Sequence, residues 1–192
     1  MSLIVRRNLL KLGIGAMASA SLIAAPAFAH AADIASTKAP TGGLRCVAMD
    51  NLHTGETMEA VYWEQGDYIP DVLDAVNAHL RDFRTGDVHP IDTRLLDLLD
   101  QISDRVQTKA RFQVISGFRS QATNAMLHEQ SAEVAKKSLH TQGMAIDVRL
   151  PDVALEHLHN AALSICAGGV GFYPESNFVH LDVGPVRTWR GS

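Results

Sequence analysis

The stretch Ser138-Leu139-His140-Thr141-Gln142-Gly143-Met144-Ala145-Ile146-Asp147-Val148-Arg149-Leu150 holds a histidine and an acid seven positions apart, with a glycine between them. On a straight helix that spacing puts both on one face but two turns, roughly 10 Å, apart, too far to share an ion. Gly143 and the run Ala145-Ile146-Asp147-Val148 instead predict a loop that folds back onto a strand over 144–150. Period-two alternation then turns Asp147 to the face opposite Ile146 and Val148. The segment Phe178-Val179-His180-Leu181-Asp182 repeats the pattern, with Phe178, His180 and Asp182 on one face and Val179 and Leu181 on the other. An acid in such surroundings is costly unless partners satisfy it. His140, Asp147 and His180 therefore read as a metal-ligand set whose fourth tetrahedral position stays open, the mark of a catalytic site and not a structural one. The alternative is that each is a hydrogen-bonded structural group, and no HExxH spacing decides between the two.

Outward from this core, short strands and helices alternate irregularly. Leu44 to Met49 and Met58 to Trp63 predict a hairpin around Asn51-Leu52-His53-Thr54-Gly55-Glu56, which leaves His53 exposed at a turn. Pro70 opens a helix through Phe83 with Val72, Leu73, Val76 and Leu80 in one stripe. Asp92 caps a second helix that carries Leu95, Leu96, Leu98, Leu99, Ile102 and Val106. Phe112 to Ile115 reads as a strand leading into Ser116-Gly117-Phe118-Arg119-Ser120, and 121–137 as partly helical. Pro151 starts a helix through about Ile165, and two further strands, 168–173 and 177–183, are joined by Pro174-Glu175-Ser176. With no GxGxxG phosphate turn and no internal repeat, this order predicts one small α+β domain whose central antiparallel sheet is flanked by helices.

The N-terminus predicts export. Arg6-Arg7-Asn8-Leu9-Leu10-Lys11 precedes a run free of Asp, Glu, Lys and Arg from Leu12 to Ala32, and Ala27-Phe28-Ala29 supplies a cleavage site. Gly13, Gly15, Ser19, Ser21 and Pro26 dilute the run relative to a membrane anchor. The reading is a signal peptide over 1–29, a linker over 30–43 rich in Ala, Ser, Thr, Pro and Gly, and a domain over 44–192. The paired arginines resemble a twin-arginine signal. Removing 1–29 takes away three basic and no acidic residues, so the mature chain is more acidic than the net −4 of the full sequence. That balance argues against simple electrostatic binding to nucleic acid or to anionic membranes and wall polymers, and removal of the apolar run predicts no stable membrane insertion after cleavage. Cys46 and Cys166 both lie in apolar segments and read equally as one disulfide or as two buried thiols.

Ser-Gly-Phe-Arg-Ser at 116–120, Asn124, Ser-Leu-His-Thr-Gln-Gly-Met-Ala-Ile-Asp at 138–147, Gly-Gly-Val-Gly-Phe-Tyr-Pro at 168–174 and Phe-Val-His-Leu-Asp-Val-Gly-Pro-Val-Arg-Thr-Trp at 178–189 together resemble the bacterial murein endopeptidase group of the D-alanyl-D-alanine zinc metallopeptidases. Asn-Leu-His-Thr-Gly-Glu at 51–56 and Arg-Asp-Phe-Arg-Thr-Gly at 81–86 extend the likeness over nearly all of the mature chain. The resemblance implies a hedgehog/D-Ala-D-Ala-peptidase-like fold, one Zn2+ held by His140, Asp147 and His180, and Arg119 beside it. It implies hydrolysis of peptidoglycan peptide cross-links in the periplasm after twin-arginine export. A zinc-holding wall-binding domain without turnover and a carboxypeptidase trimming terminal D-Ala are the alternatives.

Two departures bear on the proton carrier. Many wider relatives place Glu three residues before the last zinc histidine, where this chain has Asn177. Others have His two residues after it, where this chain has Asp182. Asp182 is thus a candidate catalytic base, or a carboxylate that orients His180. Arg119 offers a permanently charged fork suited to an oxyanion or a substrate carboxylate, or else a salt bridge at a strand end. Ser138 and Tyr173 are candidate substrate contacts; Ser138 and Ser116 also read as turn residues, and Tyr173 and Trp189 as cover for the core edge. His157 and His159, two apart on a predicted helix, point to different faces, and His128-Glu129 lacks a second histidine at 132.

Overall fold

A computed structural model describes residues 43–131 and 134–192. The signal segment 1–29 and all but the last residue of the linker 30–43 lie outside the described residues. The elements run β1 (Arg45–Asn51), β2 (Thr57–Glu64), β3 (Asp67–Tyr68), α1 (Pro70–His79), α2 (Thr93–Val106), β4 (Phe112–Ser116), α3 (Gln121–Gln130), a 3-10 turn (Leu139–Gln142), β5 (Ala145–Arg149), α4 (Leu155–Ile165), β6 (Gly169–Tyr173), β7 (Phe178–Asp182) and β8 (Arg187–Arg190). The fold is α+β, as expected. No helix among the described residues is long and apolar enough to cross a membrane.

All eight strands form one sheet in the order β3-β2-β1-β4-β5-β7-β6-β8. The sheet is mixed, a correction to the antiparallel expectation: β4, β5, β7 and β6 are mutually antiparallel, but β1 pairs parallel with β4 and β8 parallel with β6. Two parallel pairs arise because β1 reaches β4 across two helices, and β8 follows β7 yet pairs beyond it.

Alternation along the strands sorts the two faces. Val47 and Met49, Phe112 and Val114, Ile146 and Val148, Val170 and Phe172, and Val179 and Leu181 join one buried cluster with Val76, Leu95, Leu96, Leu99, Ile102, Leu158 and Ala162 of the helices. The other face of β5 and β7 carries Asp147, His180 and Asp182. One strand thus uses one set of residues to bury the sheet and the alternate set to build a site.

Local chemistry explains the element ends. Asp92 caps α2 by accepting Arg94 N–H at 3.0 Å. Helix α1 stops at His79 instead of reaching Phe83, because the Leu80 carbonyl takes Phe118 N–H at 2.8 Å and Asp82 starts a new turn. Buried Asp82 accepts Ser120 N–H at 2.9 Å and Arg84 N–H at 2.9 Å, which ties the 117–120 loop to the end of α1. Helix α4 begins at Leu155, later than Pro151 suggested; Asp152 is held instead by the Thr108 hydroxyl at 2.6 Å. Strands β3 and β8 went unpredicted, since one has two residues and the other, Arg-Thr-Trp-Arg, lacks an apolar alternation. Cys46 and Cys166 are free and exposed, so neither the disulfide nor the buried-thiol reading holds. His53 is an exposed turn residue stacked on Phe83, with ring centroids 3.8 Å apart.

Candidate metal centre

Three local structures deliver the three candidate ligand atoms. Ser138 caps the 3-10 turn, its Oγ accepting His140 N–H at 3.4 Å, and the turn closes at Gly143 with φ 67. His140 is buried, and its Nδ1 lies 2.8 Å from the Gly117 carbonyl. A carbonyl only accepts, so Nδ1 carries the proton and Nε2 presents a lone pair. Asp147 on β5 stands directly opposite His180 on β7. His140 Nε2, His180 Nδ1 and Asp147 Oδ1 are mutually 3.2, 3.2 and 2.8 Å apart. Bonds of about 2.0–2.1 Å at tetrahedral angles would put ligand atoms roughly 3.3 Å apart, so this donor set fits a tetrahedral ion such as Zn2+.

The outer atoms of the ligands are engaged as well. Asp147 Oδ2 accepts Arg119 Nη2 at 2.5 Å, while Arg119 Nε donates to Ser116 Oγ at 2.7 Å. His180 Nε2 lies 3.0 Å from Asp182 Oδ2. Asp182 is fully buried and also accepts Gly169 N–H at 3.0 Å, Gly184 N–H at 2.9 Å, Arg187 Nη1 at 3.1 Å and Arg187 Nη2 at 2.7 Å. A β-carbon at Gly169 would come within 2.4 Å of the Asp182 carboxylate and 2.5 Å of Arg187 Nη1, so only glycine lets this pair meet above β6. Gly171, the neighbour of His180 on β6, does the same for Trp189, whose ring centroid lies 5.1 Å from that of His180.

Electrostatics follow from these partners. Burial lowers the His140 pKa more than neighbouring Asp147 raises it, which keeps the imidazole neutral and able to ligate. Burial would raise the Asp147 pKa, but His140 and His180 hold it well below the usual carboxylate range. Burial would lower His180, yet hydrogen bonds to Asp147 and Asp182 raise it. A cation entering the site displaces that imidazole proton, so its affinity weakens as pH falls. Burial opposes ionisation of Asp182 too, but His180, Arg187 and two backbone N–H groups outweigh it and hold it far below the ordinary value.

The site opens into a cavity of about 350 Å³ lined by the three ligands together with Arg119, Lys137, Ser138, Leu139, Tyr173, Phe178, Arg187 and Trp189. The Tyr173 ring stacks on Phe178 with centroids 4.5 Å apart, and Trp189 Nε1 donates to the Tyr173 hydroxyl at 2.8 Å. All seven site residues read from the sequence thus meet at or beneath one cleft. Asn177 does not: it is exposed in the β6–β7 turn at φ 54, a backbone position that suits asparagine. His128, with Nδ1 2.6 Å from the Val134 carbonyl, and His159, stacked on Phe172, lie outside the ligand set. Arg187 and Lys137 were missed. The tight Gly-Pro turn before Arg187 hinted at the first, but nothing local separates Lys137 from Lys136.

An α+β domain in which a 3-10 turn and two adjacent strands bring two histidines and a carboxylate to tetrahedral spacing beneath an open cleft has a layout able to hold a catalytic metal. A family model described as "Peptidoglycan L,D-endopeptidase MepK" matches residues 39–189, and the chain belongs to this peptidase family. It is 43% identical over 184 residues to the peptidoglycan L,D-endopeptidase MepK of Escherichia coli K12, covering 96% of each chain. The corresponding protein of Shigella flexneri matches equally, and the probable peptidoglycan L,D-endopeptidase MepK of Haemophilus influenzae is 40% identical over 148 residues, covering 77% of this chain and 80% of its own. No solved structure matches.

Proposed function

We propose that the chain is an exported zinc endopeptidase that hydrolyses peptide cross-links of peptidoglycan. The observation that carries this is the convergence of His140 Nε2, Asp147 Oδ1 and His180 Nδ1 below an accessible cleft, in a chain related end to end to peptidoglycan endopeptidases. When bound, zinc supplies a nucleophile at neutral pH and polarises the scissile carbonyl. The chain's own residues orient the rest. Gly117 and Asp182 engage the outer nitrogens of the two histidines and aim their lone pairs at one point. Arg119, clamped by Ser116 and Asp147, has a second terminal nitrogen, Nη1, that bonds to none of the described residues and serves a developing oxyanion. Tyr173, Phe178 and Trp189 offer an aromatic surface to the substrate peptide, and Ser138 keeps the His140 turn in shape.

Asp182 positions His180 and does not act as the base. It sits on the far side of the imidazole from Nδ1, is fully buried and already accepts five hydrogen bonds. Asp182→Asn is therefore expected to weaken zinc binding by about 10–100-fold, read by competition with a chromogenic chelator, while kcat at saturating zinc changes far less. Unchanged zinc affinity with turnover lost would instead make Asp182 the base.

The function is tested by incubating sacculi with the purified protein, with and without chelator, and separating the muropeptides. Conversion of dimers to monomers without free D-alanine, abolished by chelator and restored by zinc, is the expected result. Intact dimers at every pH would overturn the reading, and release of D-alanine would replace it with a carboxypeptidase. Export through the twin-arginine route to the periplasm is supported by Arg6-Arg7 and by the apolar run that precedes Ala29.

A further inference from the structure

Among the described residues, the charged groups at the cavity are matched, with one exception. Asp147 pairs with Arg119, and Asp182, buried beneath, pairs with Arg187. Lys137 lines the same cavity, is exposed, and has no ion pair or hydrogen bond with any described residue. Its backbone, by contrast, is anchored on both sides. Asn124 of α3, only 2% exposed, donates its amide to the Ala135 carbonyl at 3.1 Å and the Lys136 carbonyl at 3.3 Å. Ser138, the next residue, is held as the cap of the His140 turn. A buried amide and a helical cap thus fix where the Lys137 side chain leaves the chain, three residues before His140 of the candidate metal centre. Lys136, its neighbour, is equally exposed but does not line the cavity.

A solvated ammonium kept at the rim of a cleft, where Asp147 and Asp182 already pair with arginines, is a cationic site for an anionic ligand. We infer that Lys137 is a specificity-determining residue that binds a carboxylate of the substrate peptide close to the scissile amide. The inference rests on the peptidase reading above and adds the chemical feature by which that peptidase selects among cross-links. An ammonium is a compact point charge and recognises a carboxylate without the two-pronged geometry that Arg187 uses on Asp182. The contact lies at an open rim, so it weakens with added salt and acts on binding more than on turnover.

Two matched cross-linked peptide dimers test this, one with a free carboxylate on the amino acid beside the scissile bond and one with the carboxamide. The wild-type protein is expected to cleave the carboxylate form with a KM lower by about fivefold to tenfold. Lys137→Gln should abolish that preference by raising KM for the carboxylate form alone, Lys137→Glu should reverse it, and Lys136→Gln should leave it intact. The same preference in Lys137→Gln as in the wild type would overturn the inference while leaving the peptidase reading standing. A preference lost equally in Lys136→Gln would also overturn it, in favour of general attraction by surface charge. Cleavage of neither dimer by the zinc-loaded wild type would overturn the peptidase reading itself.

Discussion

Asp147→Ala is expected to remove metal and activity together. In the proposed site Asp147 offers one ligand atom, Oδ1, and accepts Arg119 through Oδ2, so one substitution opens the candidate ligand set and releases the guanidinium. Loss of a ligand weakens binding more than loss of an outer partner, so zinc affinity should fall by on the order of 10³-fold or more and cross-link hydrolysis by at least about 10⁴-fold. Without metal the variant should also be less stable than the metal-free wild type by about 3–5 kcal/mol, because Arg119, only 14% exposed in its side chain, keeps its charge and loses its partner. Zinc titration, muropeptide digestion and denaturant unfolding read these three effects separately. One equivalent of zinc bound at wild-type affinity would remove Asp147 from the ligand set.

Arg119→Ala should separate binding from chemistry. The guanidinium meets the ligand set through Asp147 Oδ2 and, at a longer 3.4 Å, His140 Nε2, and it supplies no ligand atom itself, so its removal is expected to weaken zinc affinity by no more than about tenfold. The hydrolytic rate at saturating zinc should fall much further, by about 10²–10³-fold, the usual result of deleting one preorganised oxyanion donor. Arg119→Lys should recover little, because an ammonium cannot hold Ser116 Oγ and Asp147 Oδ2 at once and still present a free donor. A rate within a few-fold of wild type in Arg119→Ala would reduce Arg119 to the structural salt bridge that a strand-end arginine also suggests.

How far the fold and site were legible depended on whether the signal was local. The stripe Leu95, Leu96, Leu99 and Ile102 and the cap at Asp92 are properties of one helix, and both are where the chain pattern puts them. The alternation Ile146-Asp147-Val148 and Val179-His180-Leu181 announced which residues leave the core, because a strand has only two faces. The ends of α1 and α4 were not legible, since Phe118 N–H and the Thr108 hydroxyl come from distant loops. Strand β8 was invisible for a related reason: its Arg-Thr-Trp-Arg run pairs with β6 at the sheet edge, and its side chains serve Asp182, Tyr173 and the face of Phe172 instead of a core stripe.

The sequence alone pointed to the α+β class through its periodicity, and to His140, Asp147 and His180 as candidate metal ligands through residue chemistry joined to a resemblance to a known family, since periodicity by itself left each of the three open to a structural reading. It left Asp182 between two roles. Only the tertiary structure decided where that carboxylate lies: glycine at 169 lets Arg187 close over it, and two backbone N–H groups and the outer nitrogen of His180 occupy the rest of its acceptor capacity. The physical reason is that a carboxylate's role depends on which donors surround it, and four of its five hydrogen bonds come from other strands or from loops that the chain brings back to it.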